Sequence, residues 1–418
     1  MAAAPDASVL RARGMPHLLA VVLCCFSGFA LLLPVSPTWA VAGGADEFGA
    51  GLVTAVLMAA TVLTQLCVKA MLRRVGWSHT LTLGALLLGL PAPLQALSDG
   101  LPAILLTTAP RGAGFGILTV CGSTAVAALA PRGRQGAAIG LYGLAVALPQ
   151  VVLTPAAPWL VDTFALPAII ACGALPVLAL PLTPALGRIV AAHDDDHAPR
   201  GGPSRAATAP TVLRRIRQPL GVLLLVTAGG GAVLTFAPQF TPSPTAAVAC
   251  LFTLTATAAA GRWACGILAD RLPPRPIGVA LMLAACAGLA LTAAGVASAP
   301  ATVPALLAGV LLLGTAYGGL QSVTLVQAFR QAGTENRHTT SVAWNIGYDS
   351  GTGLGSLTLG LAAQTATFTA GFAALSAGIG AAALAVLLTT SRPAPPAAPP
   401  IGGRPRTGAD DACDQLGP

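Results

Sequence analysis

Charge is what this sequence has least of. Only 9% of its 418 residues are Asp, Glu, Lys or Arg, against about 25% in soluble domains, so one large water-soluble core is excluded. Lysine is almost missing. Lys69 is the single lysine among 22 cationic residues, a bias that reads as an arginine-rich coding habit with no chemistry attached. A phosphate-cradling G-x-x-x-x-G-K-S/T loop is absent, which argues against ATP-driven work. No nucleophile–base arrangement is present either, so the chain does not read as an enzyme and calls for no cofactor. Its nine cysteines lack metal-ligand spacing, and none lies in an Arg-free loop where a disulfide would form. Cys24, Cys25, Cys67, Cys121, Cys172, Cys250, Cys265 and Cys286 are expected to be small buried hydrophobes. The run His193-Asp194-Asp195-Asp196-His197 is the one metal-like cluster. It falls in an expected flexible linker with no rigid frame and reads as a solvated loop, so no metal site is expected.

What the chain does have is apolar length. It is 55% hydrophobic, with a mean hydropathy of +0.78. Its apolar runs are about 20 residues long, enough to cross a bilayer as helices and too long for barrel strands. Twelve spans are expected, at 16–36, 48–72, 78–98, 102–130, 135–160, 164–187, 218–240, 245–268, 276–298, 301–328, 338–362 and 367–390. The fold class is thus an all-α polytopic membrane protein. The organisation is a cytoplasmic tail at 1–15, a six-helix bundle at 16–187, a cytoplasmic linker at 188–217, a second bundle at 218–390 and a disordered tail at 391–418. The first run follows Arg11 and Arg13 as a signal peptide would. Removing it would leave an odd helix count, so it is kept as the first span.

Drawn as a fold-back with the N-terminus inside, every cationic residue except Arg111 falls on one side. Lys69, Arg73, Arg74, Arg132, Arg134, Arg188 through Arg217, Arg262, Arg271, Arg275, Arg330 and Arg337 share that side with the tails. Asp46, Glu47, Asp99 and Asp162 occupy the other. The positive-inside rule is satisfied loop by loop. The net charge of +8 then suits an anionic inner leaflet and not nucleic acid.

The two halves repeat. Lys69 corresponds to Gly266 (266 − 69 = 197), Gly114 to Ala316 (316 − 114 = 202) and Arg134 to Arg337 (337 − 134 = 203). A nearly constant offset argues for a duplication, with two bundles packed around a midplane site. After the eighth span the chain reads GILADRLPPR. Gly266, Asp270 and Arg271 there resemble the loop motif of the major facilitator superfamily, roughly G-x-x-x-D-R/K-x-G-R/K. In the first half Arg74 and Gly76 fit, while Arg73 stands where the acid should be. The resemblance covers about 15–390. It implies a rocking alternating-access fold, a conformational latch at Asp270 and a monomer by default.

Asp349 is the sharpest candidate. It lies near the bilayer midplane in the eleventh span, where a carboxylate costs about 2.5–3.5 kcal/mol to insert. Asn345, Asp349, Thr352 and Ser356 share one face, and Gly347, Gly351 and Gly355 form a small-residue stripe on roughly the opposite side. The run N-x-x-x-D-x-G-x-G-x-G is similar to that of bacterial drug and metabolite exporters of the superfamily, located in the cytoplasmic membrane. Asp349 fits three roles: a carrier of coupling protons, a site for a cationic substrate, or a hydrogen bond between helices. Arg111 opens RGAGFGI and resembles the arginine of the superfamily's R-x-x-x-G motif of the fourth span, linked to proton transfer in antiporters, although Phe115, between Gly114 and Gly116, stands where the motif has glycine. Two roles fit it, a fixed counter-charge that could pair with Asp349 or an arginine reaching the outer headgroups. Tyr317, Gln321 and Thr324 share a face of the tenth span. Gln150 follows Pro149 in a proline-rich fifth span, and Gln65 and Trp344 complete the expected cavity. The third, sixth, ninth and twelfth spans are nearly apolar and are expected to face lipid, with Gln95 a lone polar residue there. Partners are therefore a small-molecule substrate, protons and the lipid bilayer. The reading is proton-coupled efflux of small organic molecules. Uptake by symport, or a non-transporting sensor or scaffold on the same fold, are the alternatives.

Overall fold

The computed structural model describes residues 9–131, 134–197, 208–298 and 302–390. Both expected tails beyond those limits, Arg132 and the middle of the linker lie outside the described residues, as do the side chains of Asp194 to His197 and Asp270.

All regular structure in the described residues is helical. The elements are α1 (Met15–Ala42), α2 (Glu47–Gly89), α3 (Pro91–Gln95), α4 (Leu101–Leu129), α5 (Gln135–Thr163), α6 (Leu166–Ala171) and α7 (Thr183–His197) in the first half. The second half has α8 (Ala209–Phe240), α9 (Pro244–Arg271), α10 (Pro274–Ala297), α11 (Val303–Ala332), α12 (Arg337–Thr365) and α13 (Phe368–Thr390). Helix starts follow local chemistry. Asp46 Oδ1 accepts from the Gly49 amide at 2.7 Å to open α2. Ser243 Oγ accepts from the Ala246 amide at 3.2 Å to open α9, with Pro244 in the first turn, where its missing N–H costs nothing.

Two expected spans are joined in α2. The break falls at Gly76, with φ 77° and ψ 171°, a conformation open essentially to glycine alone. The second and third spans meet there. The sixth span is also irregular: α6 runs on into a 3₁₀ segment, Cys172–Ala179, and the stretch Leu166–Ala179 is bent by 44° from Thr183–His193. Among the described residues nine helices, or ten with the bent sixth span counted as one, are long and apolar enough to cross a membrane; dividing α2 at Gly76 and adding α12 brings the helical segments to twelve.

Within the expected linker at 188–217, the described residues are mostly helical. Residues 188–197 continue α7 and 209–217 begin α8, because α8 is amphipathic there. Val212 and Ile216 are buried against Ala328, Ala332 and Ala343, while Arg214, Arg215 and Arg217 face outward. The backbone of His193 to His197 is thus helix and not loop. Cysteine burial also departs from expectation: Cys67 and Cys172 are exposed, Cys24 and Cys286 half-buried, and Cys25, Cys121, Cys250 and Cys265 buried.

The repeat is visible in the packing. Gly112 and Gly116 of α4 lie against the carbonyls of Leu57 and Thr61 on α2, and Gly314 and Gly318 of α11 lie against those of Leu254 and Ala258 on α9. The glycines are offset by 202 (314 − 112) and their partners by 197 (254 − 57), matching the sequence offsets. Between the halves α2 packs on α12, α5 on α9 and α1 on α8. The nearly apolar spans turn leucines outward, among them Leu94, Leu178, Leu283 and Leu388.

Candidate functional site

A cavity of about 340 Å³ lies between the halves. It is lined from α1, α2, α4 and α5 on one side and from α8, α9, α11 and α12 on the other. Its residues run from mid-bundle toward the end where the linker lies, through Ser123 and Ile139 in the first half and Leu325, Phe329 and Ser341 in the second.

The opposite end is shut by α2, α8 and α12. Gly51 lies against the Ser356 carbonyl. Ser356 Oγ pairs with Thr235 Oγ1 at 2.8 Å and donates to the Gly231 carbonyl at 3.2 Å, and Thr235 Oγ1 donates to Thr54 Oγ1 at 3.1 Å. At the rim Gln364 donates to Asp46. The glycine stripe of α12 behaves as its spacing predicts: Gly347, Gly351 and Gly355 all face α8, with Gly351 and Gly355 against the Leu224 and Ala228 carbonyls.

Asp349 sits at the junction of cavity and seal. It is 3% exposed, and its Oδ2 accepts from Gln65 Nε2 at 2.7 Å. Gln65 also donates to Thr119 Oγ1 at 3.3 Å. This joins α2 of the first half to α12 of the second. Asn345, Trp344 and Thr352 line the cavity from the same helix. The indole of Trp344 stacks on Tyr348 at 5.8 Å and 23°. Tyr317 lines the cavity from α11 and its hydroxyl bonds to that of Tyr348. Gln321 and Gln150 complete this part of the wall.

Four expected cavity or coupling residues are absent from the cavity lining, the first being Gln65, which is buried beside Asp349. Ser356 belongs to the seal, because seven residues of helix carry it about 10 Å past Asp349. Thr324 lies behind Trp344 and accepts from its Nε1 at 3.2 Å, so it positions the indole. Arg111 does not pair with Asp349. Its Nη1 donates to Ser36 Oγ at 3.2 Å and to Gln95 Oε1 at 3.1 Å, inside the first half and away from the cavity lining. Gln95 is fully buried by this contact and does not face lipid. Arg111 Nε, Gln95 Nε2 and Thr108 Oγ1 have no partner.

At the linker end, Arg330 Nη2 donates to the Ala269 carbonyl at 3.0 Å, tying α11 to the last turn of α9. Gly266 and Asp270 lie on that stretch of α9, and Arg271, its last residue, and Arg74 are exposed.

Reading from sequence missed Arg262, Tyr142 and Tyr348. Arg262 was grouped with the loop cations, but it lines the cavity and its Nη1 donates to Gln321 Oε1 at 3.2 Å. The signal was its depth, nine residues before the end of α9, or about 13 Å. For the tyrosines the signal was rarity. The chain has only three, and Tyr142, Tyr317 and Tyr348 all line this cavity.

Repeated helical halves around a shared cavity, open toward one end and sealed at the other, are the architecture of alternating-access transporters. The family model described as Major Facilitator Superfamily matches residues 18–356, and the chain belongs to that superfamily. No curated protein matches the sequence. Among solved structures, the nucleoside transporter NupG is 12% identical, with a TM-score of 0.73 over 91% of this chain and 100% of that one. A bacterial homolog of the human lysosomal transporter Spinster, inward-facing and occupied, is 15% identical, with a TM-score of 0.67 over 92% and 98%. The peptide transporter POT in complex with sulfate is 15% identical, with a TM-score of 0.70 over 92% and 96%. At these identities the likeness shows the fold. The chain is an integral membrane transporter and not an enzyme.

Proposed function

We propose that this transporter exports small organic molecules in exchange for protons. It would act as a monomer in the bacterial cytoplasmic membrane, with both tails and the linker in the cytoplasm. Its rocking units would be the bundles at 16–187 and 218–390. The observation that carries the reading is Asp349: a nearly buried carboxylate in the cavity wall, held by one neutral donor from the opposite half. An ionisable side chain inside a membrane span is a candidate proton site. Because it also faces the cavity, proton and substrate compete for one site, which is the arrangement exchange requires. With the linker in the cytoplasm, the cavity's direction corresponds to the inward-facing state. Arg111 would set a fixed positive field in the first half, acting on the cavity at a distance. Asp270 and Arg271, with Arg74 and Gly76 in the first half, would latch the linker end.

The test is movement of a fluorescent cationic dye in inside-out vesicles carrying an acid-inside gradient, wild type beside Asp349→Asn. Accumulation in the lumen by wild type, lost in an equally well inserted mutant, is the expected result. Gradient-driven release from preloaded vesicles would replace export by uptake. Loss of the mutant from the membrane would make Asp349 a structural hydrogen bond. Absence of driven movement in either sense, for dyes and for a metabolite panel, would overturn proton coupling.

A further inference from the structure

The cavity has two unlike walls. The first half contributes Phe26, Phe29 and Phe115, with Leu33 and Met58 beside them. Phe29 and Phe115 stack at 3.8 Å and 6°, and Phe26 meets Phe115 edge-on at 5.4 Å. The second half contributes a polar strip. Arg262 bonds to Gln321; Tyr317, one turn away on α11, bonds to Tyr348; and Asp349 follows Tyr348 in sequence. Among the described residues lining the cavity, Arg262 and Asp349 are the only charged ones. Measured in from the linker-end limits of their helices, Arg262 is nine residues deep and Asp349 twelve, a difference of about 4–5 Å in depth at 1.5 Å per residue.

Each charge holds a neutral amide and not a counter-ion: Gln321 for Arg262 and Gln65 for Asp349. A molecule with one charge that fills this space pairs with one of them and desolvates the other without a partner, which is costly. One carrying both signs satisfies both. Its apolar body then lies on the phenylalanine wall, where ring–ring contact adds to burial. The volume, near the lower limit of ligand pockets, sets a compact size.

We propose that the cavity selects a compact zwitterion with a flat aromatic body, the class to which aromatic amino acids belong. Its ammonium group would meet Asp349 and its carboxylate Arg262. This rests on the transporter reading above and names the substrate class of that same site. Arg262 becomes the residue that sets specificity, and Asp349 serves both ammonium and proton.

The test is binding to the purified full-length protein by titration calorimetry, without a gradient. The probes are tryptophan, tryptamine, which lacks the carboxylate, and indole-3-propionate, which lacks the amine. Tryptophan should bind at least about 10-fold tighter than either, or about 1.4 kcal/mol. Arg262→Gln should bring tryptophan down to the affinity of tryptamine and leave tryptamine unchanged. Asp349→Asn should bring tryptophan down to the affinity of indole-3-propionate. Tryptamine binding as tightly as tryptophan would overturn the proposal in favour of a plain cation site, and no heat from any of the three would overturn it outright. The wild-type comparison stands even where a variant fails to fold. Driven dye movement without zwitterion preference sinks this inference and leaves proton-coupled export standing. Zwitterion binding without driven movement does the reverse.

Discussion

Gly51 offers a direct test of the seal. A Cβ at this position on α2 would stand 2.5 Å from the Ser356 carbonyl oxygen, where ordinary contact begins at 3.4 Å. Gly51→Ala therefore requires α2 and α12 to part by about 0.9 Å (3.4 − 2.5). The near atoms are backbone, so no side chain can rotate aside. Overpacking of this kind costs about 1–3 kcal/mol, a factor of about 5–150 in an equilibrium. The cost falls only on the state in which this end is closed. The population should move toward the state open at this end.

Hydrogen–deuterium exchange reads the shift without labels. Segments 47–58 and 353–360 should exchange faster by the same factor where opening limits exchange. Residues at the cavity mouth, around 123–129 and 325–332, should become more protected. Gly347→Ala is the control on α12. Its added Cβ would meet Leu220 Cδ2 at 3.4 Å, an ordinary contact, so the same substitution should leave exchange unchanged. Unaltered protection of 47–58 and 353–360 in Gly51→Ala would refute the assignment of this interface as the closed gate. Equal deprotection across all helices would show general destabilisation instead.

Two further substitutions separate strain from function. Gly76→Ala places a side chain at φ 77° and ψ 171° and should cost about 1–3 kcal/mol, read as a lower melting temperature in detergent. Gly136→Ala, helical with open space around it, should be neutral or raise it. Arg111→Met removes a buried guanidinium held only by neutral partners. It should raise thermal stability or leave it unchanged, since an apolar side chain of similar volume removes the desolvation cost, while gradient-driven transport falls. A large stability loss with transport intact would show that Arg111 is a packing residue.

What the sequence revealed about this site was which face a residue occupies. Asp349 was legible because a carboxylate inside an apolar span is rare, and the Gly347–Gly351–Gly355 stripe because four-residue spacing defines a helix edge. Depth was harder. Asn345, Asp349, Thr352 and Ser356 share a face, yet Ser356 closes the molecule while the first three line the cavity, because the halves meet along only part of α12. Thr324 shares a face with Tyr317 and Gln321 but is covered by Trp344, a contact between residues 20 positions apart. Arg262 was taken for a loop cation because loop charges were counted without measuring how far inside its helix it lies. Gln95 was taken for a lipid-facing residue because its span is otherwise apolar; its partner Arg111 is on another helix. The 3₁₀ segment at Cys172–Ala179 leaves no mark on hydropathy, which continues smoothly across it, whereas the break at Gly76 falls just after the cationic stretch Lys69–Arg74, where a connection between spans was expected.

The pairing of α2 with α12 also bears on how a proton could act on the gate. The same two helices carry the Gln65–Asp349 bond at mid-depth and the Gly51–Ser356 and Asp46–Gln364 contacts at the closed end. Asp349 and Ser356 are seven residues apart, about 10 Å along α12. A hydrogen bond to an ionised carboxylate contributes about 1.5–3 kcal/mol, and one to a neutral group about 0.5–1.5. In the proposed cycle, protonating Asp349 therefore weakens the bond between the halves by about 1–2 kcal/mol. That matches the cost attached above to a single methyl wedge at Gly51, so either perturbation suffices to move the seal. Coupling then needs no long relay, because the proton site and the gate lie on one interface and bias the same two-state contact.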